Sequence, residues 1–159
     1  MKTKITYVRT VGIILMILLL TAGEIIAQPV IRNRTRKFLN RTSLVIIAAK
    51  KELAEGKNYT GDFAKAVAHQ KYARKLFIGG FYQRAAFHSH RARMLAFAVI
   101  KSNKGTVQRE WELNKDESDL PANQPNDQEL DKVLFRDNPN LVFDDKVAVQ
   151  AELKEIDVK

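Results

Sequence analysis

The chain has 159 residues, with 27 Lys and Arg against 18 Asp and Glu, a formal charge of +9 at pH 7. It contains no cysteine, which excludes disulfides, thiolate catalysis, thiolate metal sites and lipid attachment through Cys. The length suits one domain with a modest core.

The charge is unevenly spread. Residues 28–107 carry 17 Lys and Arg against 3 acids, net +14, whereas residues 108–159 carry 7 against 14, net −7. A basic stretch followed by an acidic one points either to a polyanion site or to a tail lying on its own core.

Lys2, Lys4 and Arg9 precede an apolar run over residues 11–20, and small residues follow up to Ala27. That order reads as a secretory signal over residues 1–27, cleaved after Ala27, with Ala22 or Gly23 as second choices. The apolar run falls short of the roughly 20 residues that span a bilayer. The alternative is an uncleaved membrane anchor reaching Ile26. Glu24 argues against it, because a carboxylate in hydrocarbon is costly. Arg32, Arg34, Arg36, Lys37 and Arg41 argue for it, because positive charge tends to stay on the cytoplasmic side. The expectation is export, to a periplasm or the medium.

Residues 28–41 are polar and basic and open at Pro29, so they are expected to form a flexible arm. Asn33-Arg-Thr35, Asn40-Arg-Thr42 and Asn58-Tyr-Thr60 fit the glycosylation sequon, a pattern short enough to arise by chance. Thr42 or Ser43 is expected to cap a helix running to about Glu55. Residues 44–49 are apolar on every side and rich in β-branched side chains, which leaves a buried strand as the alternative. Residues 56–61 connect to the next element.

Asp62 is expected to cap a second helix. Phe63, Ala66, Val67, Gln70, Ala73 and Phe77 recur at three- and four-residue steps and make a buried stripe. Gly79-Gly80 ends it, since glycine reaches the left-handed conformation that closes helices. A third helix follows, with Tyr82, Ala85, Ala86, Ser89, Ala92, Ala96 and Val99 along one face. These mostly small side chains let a neighbouring helix approach closely. A second stripe, Phe87, Met94, Leu95 and Ala98, predicts that the third helix lies between the first and second. The fold class is therefore all-α: a small three-helix core over residues 42–107, built on an antiparallel helical hairpin.

Gly105 is the expected terminator of the third helix. The acidic tail, residues 108–159, reads as partly irregular with one or two short helices. Its linker, residues 112–128, contains Pro121 and Pro125 and is too polar to order itself by burial. Asp116, Glu117 and Asp119 read there as solvated charge. Short helices are expected over residues 127–135 and from a cap at Asp144 to Ile156. Trp111, Leu134, Phe135 and Phe143 are the expected anchors onto the core, because surface ion pairs contribute little singly.

No phosphate loop, nucleophile elbow, zinc-protease helix or calcium loop is present, so no catalytic residue and no cofactor is assigned. The candidate partner-binding residues are Lys71, Arg74, Lys75, Arg84, His88 and Arg91, of which Arg84, His88 and Arg91 fall on one helical stripe. The hairpin also contains an internal echo: residues 68–76 and 87–95 align His69 with His88 and Ala73-Arg74 with Ala92-Arg93. Folding back between Ile78 and Gly79 brings His69 and His88 to the same level. Two facing imidazoles could begin a metal site, but no Asp or Glu lies between Phe63 and Lys101. Buried, hydrogen-bonded structural histidines are the alternative.

Gly80-x-Tyr82-x-x-Ala85-x-x-x-Ser89-x-x-Ala92 is similar to the central part of a tetratricopeptide repeat, with Tyr72-Ala73-x-x-Leu76 in its upstream positions. The resemblance covers about residues 69–102, the length of one unit. It departs from the pattern at His69, where Trp is preferred, and at Phe97, where Pro is preferred, and no second copy follows. It implies a helical hairpin used in protein–protein interaction. The functional expectation is an exported helical binding or scaffold module without catalytic activity, acting on a protein partner in the cell envelope or extracellular space. The alternative is a binder of anionic lipid or polysaccharide through the basic hairpin face, and a His69–His88 metal protein stands third. Nucleic acid is not an expected partner for an exported chain.

Overall fold

The computed structural model describes residues 3–154 and 156–158, with side chains from Gln28 onward. Among the described residues it is all-helical: α1 (Thr3–Gly56), α2 (Asp62–Ile78), α3 (Tyr82–Ser102), α4 (Asp127–Asp137), α5 (Asp145–Gln150) and a single 3₁₀ turn at Arg109–Trp111. The chain divides into two compact units, Met1–Asn33 and Arg34–Lys159. The secretory-signal reading falls on residues 1–27, whose side chains lie outside the described ones. No described helix is long and apolar enough to cross a membrane.

The segment expected as a flexible arm is helical. Within the second unit, Thr35, Phe38 and Leu39 are fully buried and continue into Thr42, Ser43, Val45, Ile46, Ala49 and Leu53. These positions recur at the three- and four-residue steps of one helix face. Its first turns hold only two large apolar side chains among cations, and small hydroxyls complete the stripe. That is why composition alone reads the segment as an arm. The strand alternative for residues 44–49 fails for the same reason, since helical spacing turns Leu44 and Ile47 outward, 60% and 49% exposed.

The hairpin forms as the sequence implies. Phe81 N–H donates to Leu76 O at 2.9 Å and Gly80 N–H to Phe77 O at 3.0 Å, the paired bonds of a Schellman closure. Gly80 holds φ at 82°, the left-handed value this closure needs. Ala85, Ala86, Ser89, Ala92, Ala96 and Val99 are all buried along α3. One core joins Val45, Ile46, Ala49 and Leu53 of α1, Phe63 and Ala66 of α2, and Ala92 to Ile100 positions of α3. The second stripe holds only in part: Leu95 is buried, Phe87 is half-buried, and Met94 and Ala98 face out.

Two expected helix signals are displaced. Asp62 makes no capping bond to the α2 backbone. The buried carboxylate of Asp145, on α5, instead accepts from Gly61 N–H at 2.7 Å and Ala64 N–H at 2.8 Å. Two orphan donors at the start of α2 are thus satisfied from a distance, where negative charge also complements the helix dipole. At the end of α3, the left-handed residue is Lys104 (φ 64°) rather than Gly105. Gly105 instead lies close against Glu52, whose side chain would have to shift if a Cβ were added there, 2.7 Å away.

The tail is more ordered than its composition suggests. Glu117, Leu120 and Pro121 are buried within the stretch expected as a linker. Asn126 and Glu129 cap α4 reciprocally, through a side-chain acceptor for Glu129 N–H and one for Asn126 N–H. Asp144 caps α5, which ends at Gln150 rather than Ile156. Trp111 packs, partly buried, against the core. Leu134 is buried, whereas Phe135 is 41% exposed and meets Phe143 edge-on at 5.1 Å between centroids.

Left-handed backbone costs a non-glycine residue about 1–2 kcal/mol, and a new glycine adds about 0.5–1 kcal/mol of unfolded-state entropy. The Lys104→Gly variant is therefore expected to gain about 0.5–1 kcal/mol in urea unfolding. A loss of stability would contradict the assigned helix end.

Candidate functional site

From Phe63 to Lys101 the hairpin carries cations and histidines but no carboxylate, so its buried polar groups meet partners from the tail. His69 is fully buried on α2 and His88 nearly so on α3, and their Nδ1 atoms lie 2.9 Å apart. His69 Nε2 is 3.0 Å from Asp131 Oδ1 of α4. The carboxylate can only accept, so His69 donates through Nε2–H and its Nδ1 is an acceptor. His88 must then donate through Nδ1–H, leaving its Nε2 as the free lone pair of an Asp131–His69–His88 relay. The rings stack at 5.2 Å, and Tyr72 meets His88 edge-on at 4.6 Å. Tyr72 donates its hydroxyl to Asp137.

Asp131 serves α2 and α3 together. It accepts two bonds from Arg91, from Nε at 3.0 Å and from the terminal nitrogen at 3.1 Å, and pairs with Lys65 at 3.4 Å. Arg91 also reaches Asp127 at 2.7 Å. Burial alone would raise the Asp131 carboxyl, but hydrogen bonds from His69 and Arg91, with the charge of Arg91, hold it well below the usual range. Burial pushes both histidines down. His88, also beside His69 and Arg84, reaches about 3, and for His69 burial outweighs the pull of Asp131. Both imidazoles are therefore neutral at pH 7, as the single-proton link between them requires.

A parallel arrangement fixes residues 108–121. Arg93 is 1% exposed, stacks 4.3 Å over Phe38, and donates to Thr42 Oγ1 at 3.0 Å, Phe38 O at 3.2 Å and Glu117 Oε2 at 3.1 Å. Glu117, expected as solvated charge, is buried and also receives Arg41 at 2.5 Å. Arg34 pairs with Asp119 nearby.

These contacts sort the expected site residues. His88 and Arg91 are withdrawn from any partner surface: one is buried in the relay and the other is bound to Asp131 and Asp127. Arg84 is exposed and leans over Phe81 at 5.6 Å. The stripe of Arg84, His88 and Arg91 is thus not a single binding face. Arg74 is half-buried and donates from Nε to Asp157 O at 3.0 Å. Lys71 and Lys75 are exposed and form no ion pair among the described residues.

Lys71, Arg74 and Lys75 line one side of a recess of about 380 Å³, with Tyr72, Ile78, Leu134, Asn138 and Leu141 around it. A second recess of about 340 Å³ shares Ala68, Lys71 and Leu141 and is walled by Ala64, Val67, Phe143 and Val147. Together they make one groove along α2, apolar at one end and cationic at the other. A larger recess, about 760 Å³, lies beside the C-terminal half of α3, where Lys101 and Glu112 oppose each other in charge.

Among the described residues the paired histidines have no further metal ligand placed with them. Their facing nitrogens bond to one another, and among the described residues no group of three or more His, Cys, Asp or Glu side chains is placed to hold an ion. The echo between residues 68–76 and 87–95 does find the pairing of His69 with His88. Nothing local announces Asp131, Glu117 or Asp145. The signal pointing to them is global: a hairpin without acids beyond Asp62, followed by an acidic tail.

The low value for His88 sets a pH dependence. An unfolded histidine binds its proton near pH 6.5 whereas the folded one waits until about pH 3, so stability falls as pH drops through that window. The loss for His88 alone is about 2 kcal/mol between pH 7 and 5, with His69 and His90 acting in the same direction. Asp131 acts in the same sense only below the ordinary carboxylate range, where its unfolded form begins to protonate. Urea unfolding at the two pH values should show this loss, and His88→Asn should reduce it. Equal stability at pH 7 and 5 would refute the neutral relay.

No protein-family model, curated protein or solved structure matches this chain.

Proposed function

We propose that this chain is a helical interaction module, exported through its N-terminal segment, that binds a protein partner along the groove of α2. The observation that carries the reading is the contrast among its cations. Lys65, Arg91, Arg93, Arg34 and Arg41 are matched by carboxylates of the chain's own tail. Among the described residues Lys71 and Lys75 have no ion-pair partner, and they stand beside an apolar floor of Ala64, Val67, Ala68 and Leu141. Apolar contact supplies affinity and unmatched charge selects the partner. The partner that fits is a polypeptide segment with an apolar face and a carboxylate edge. The tetratricopeptide-like spacing of residues 69–102 supports the same use of a hairpin.

Binding of a lipid or polysaccharide polyanion is the second reading. Pairing of Lys65, Arg91 and Arg93 with tail carboxylates weakens it, because a polyanion site gains from many free cations together.

The test uses a pair of synthetic amphipathic peptides sharing one leucine face, one with Glu and one with Lys on the polar face. The Glu peptide is expected to bind in the micromolar range, to weaken between about 50 and about 500 mM salt, and to lose at least about tenfold on Lys71→Glu/Lys75→Glu. Equal binding of both peptides, or of neither, would reject the reading. Binding confined to vesicles containing anionic lipid would favour the second one. N-terminal sequencing of the protein from its host tests export: an intact residue 1 would count against cleavage.

A further inference from the structure

A second recognition element lies between α1 and α2, and it holds a short extended piece of the chain itself. Ile156 and Val158 are 1% and 6% exposed there, while Asp157 between them faces out. The polar contacts to this segment run to its main chain. Asn40 accepts from Val158 N–H at 2.8 Å and donates to Val158 O at 2.9 Å, clasping the main chain of one residue in both directions. Gln70 Nε2 and Ser43 Oγ donate to Ile156 O at 3.0 and 2.8 Å, and Arg74 donates to Asp157 O at 3.0 Å. Side chains of two helices therefore read three consecutive residues as backbone, with apolar sockets for alternate positions. This is the way extended peptides are recognised generally: main-chain bonds give affinity and alternating pockets give selectivity.

Two further features separate this cleft from ordinary tail packing. Gln70 is fully buried, and its Oε1 has no hydrogen-bond partner, although Nε2 of the same amide makes three contacts. A buried acceptor left unmatched is costly, and an incoming N–H would satisfy it. In addition, the segment is joined to α5 through Ala151 to Lys154, which form no helix or strand. Ordering three extended residues costs conformational entropy comparable to what burying two aliphatic side chains returns.

We infer that the α1–α2 cleft is a binding site for an extended polypeptide with apolar residues two apart, and that residues 156–158 are its displaceable internal occupant. A partner strand of that pattern competes with the internal segment for Asn40, Ser43, Gln70 and Arg74. The site adjoins the α2 groove and shares Arg74 with it, but none of the groove's apolar lining takes part.

The probe is a fluorescent peptide spanning residues 152–158, added to the full chain carrying Ile156→Asp and Val158→Asp. Binding in the micromolar range is expected, at least tenfold tighter than to the wild-type chain, and Asn40→Ala added to the variant should weaken it tenfold or more. Absence of binding by a variant with wild-type helix content and Trp111 emission would overturn the inference. Should that variant fail to fold, amide exchange of the wild-type chain decides. A Val158 amide exchanging at least a hundredfold faster than the α3 core amides supports a displaceable segment, and exchange as slow as theirs rejects it.

Discussion

No carboxylate lies between Phe63 and Lys101, so every cation that this hairpin buries needs a counter-charge from elsewhere in the chain. Arg93 is the sharpest case. A guanidinium cannot shed its proton to escape burial, and leaving such a charge unpaired inside a protein costs roughly 3–5 kcal/mol. Glu117 supplies the charge, and in doing so it draws residues 109–121 onto the helices. Asp131 does the same for Arg91 and Lys65, and it draws α4 with it. The acidic half is thereby a structural complement of the basic half rather than an appendage.

Aliphatic burial and charge pairing divide the work by length scale. The alanine seam of α3 and the apolar stripes of α1 and α2 bring helix backbones together without directional contacts, and removal of that area from water dominates the gain. Such packing is tolerant of register. The buried polar groups are not, because each must meet its partner within hydrogen-bonding distance or lose the desolvation cost. His69 with His88, Arg93 with Thr42 and Glu117, and Asp145 at the start of α2 therefore fix the register at which the helices and tail settle. Their distribution also leaves some cations over. Lys71 and Lys75 lie on the turn whose Tyr72 bonds Asp137, yet among the described residues neither forms an ion pair.

How much of this was readable in advance follows the same division. The helices of the hairpin were legible, because three- and four-residue periodicity and a double glycine are local signals. So, in outline, were the short helices of the tail, the last of them through its cap at Asp144. The early part of α1 was not, because Thr35, Thr42 and Ser43 look polar in a list of residues yet are small enough to be buried against another helix. Glu117 was read as solvated, because its burial depends on an arginine 24 positions away in sequence. The facing of His69 and His88 was visible from the internal echo. Its consequence, a neutral relay ending on α4, depended on a carboxylate 62 positions from His69. Long-range polar pairing leaves no periodic trace, and the charge asymmetry of the two halves was its only outward sign.

The central claim is that the acidic half folds with the helices as one unit. Trp111 emission reports the tail and far-ultraviolet circular dichroism reports the helices, so urea unfolding followed by both tests it directly. Coincident transitions with one midpoint are expected. A Trp111 transition completed at lower urea, with the helices still intact, would show the tail to be an independent appendage and contradict the account.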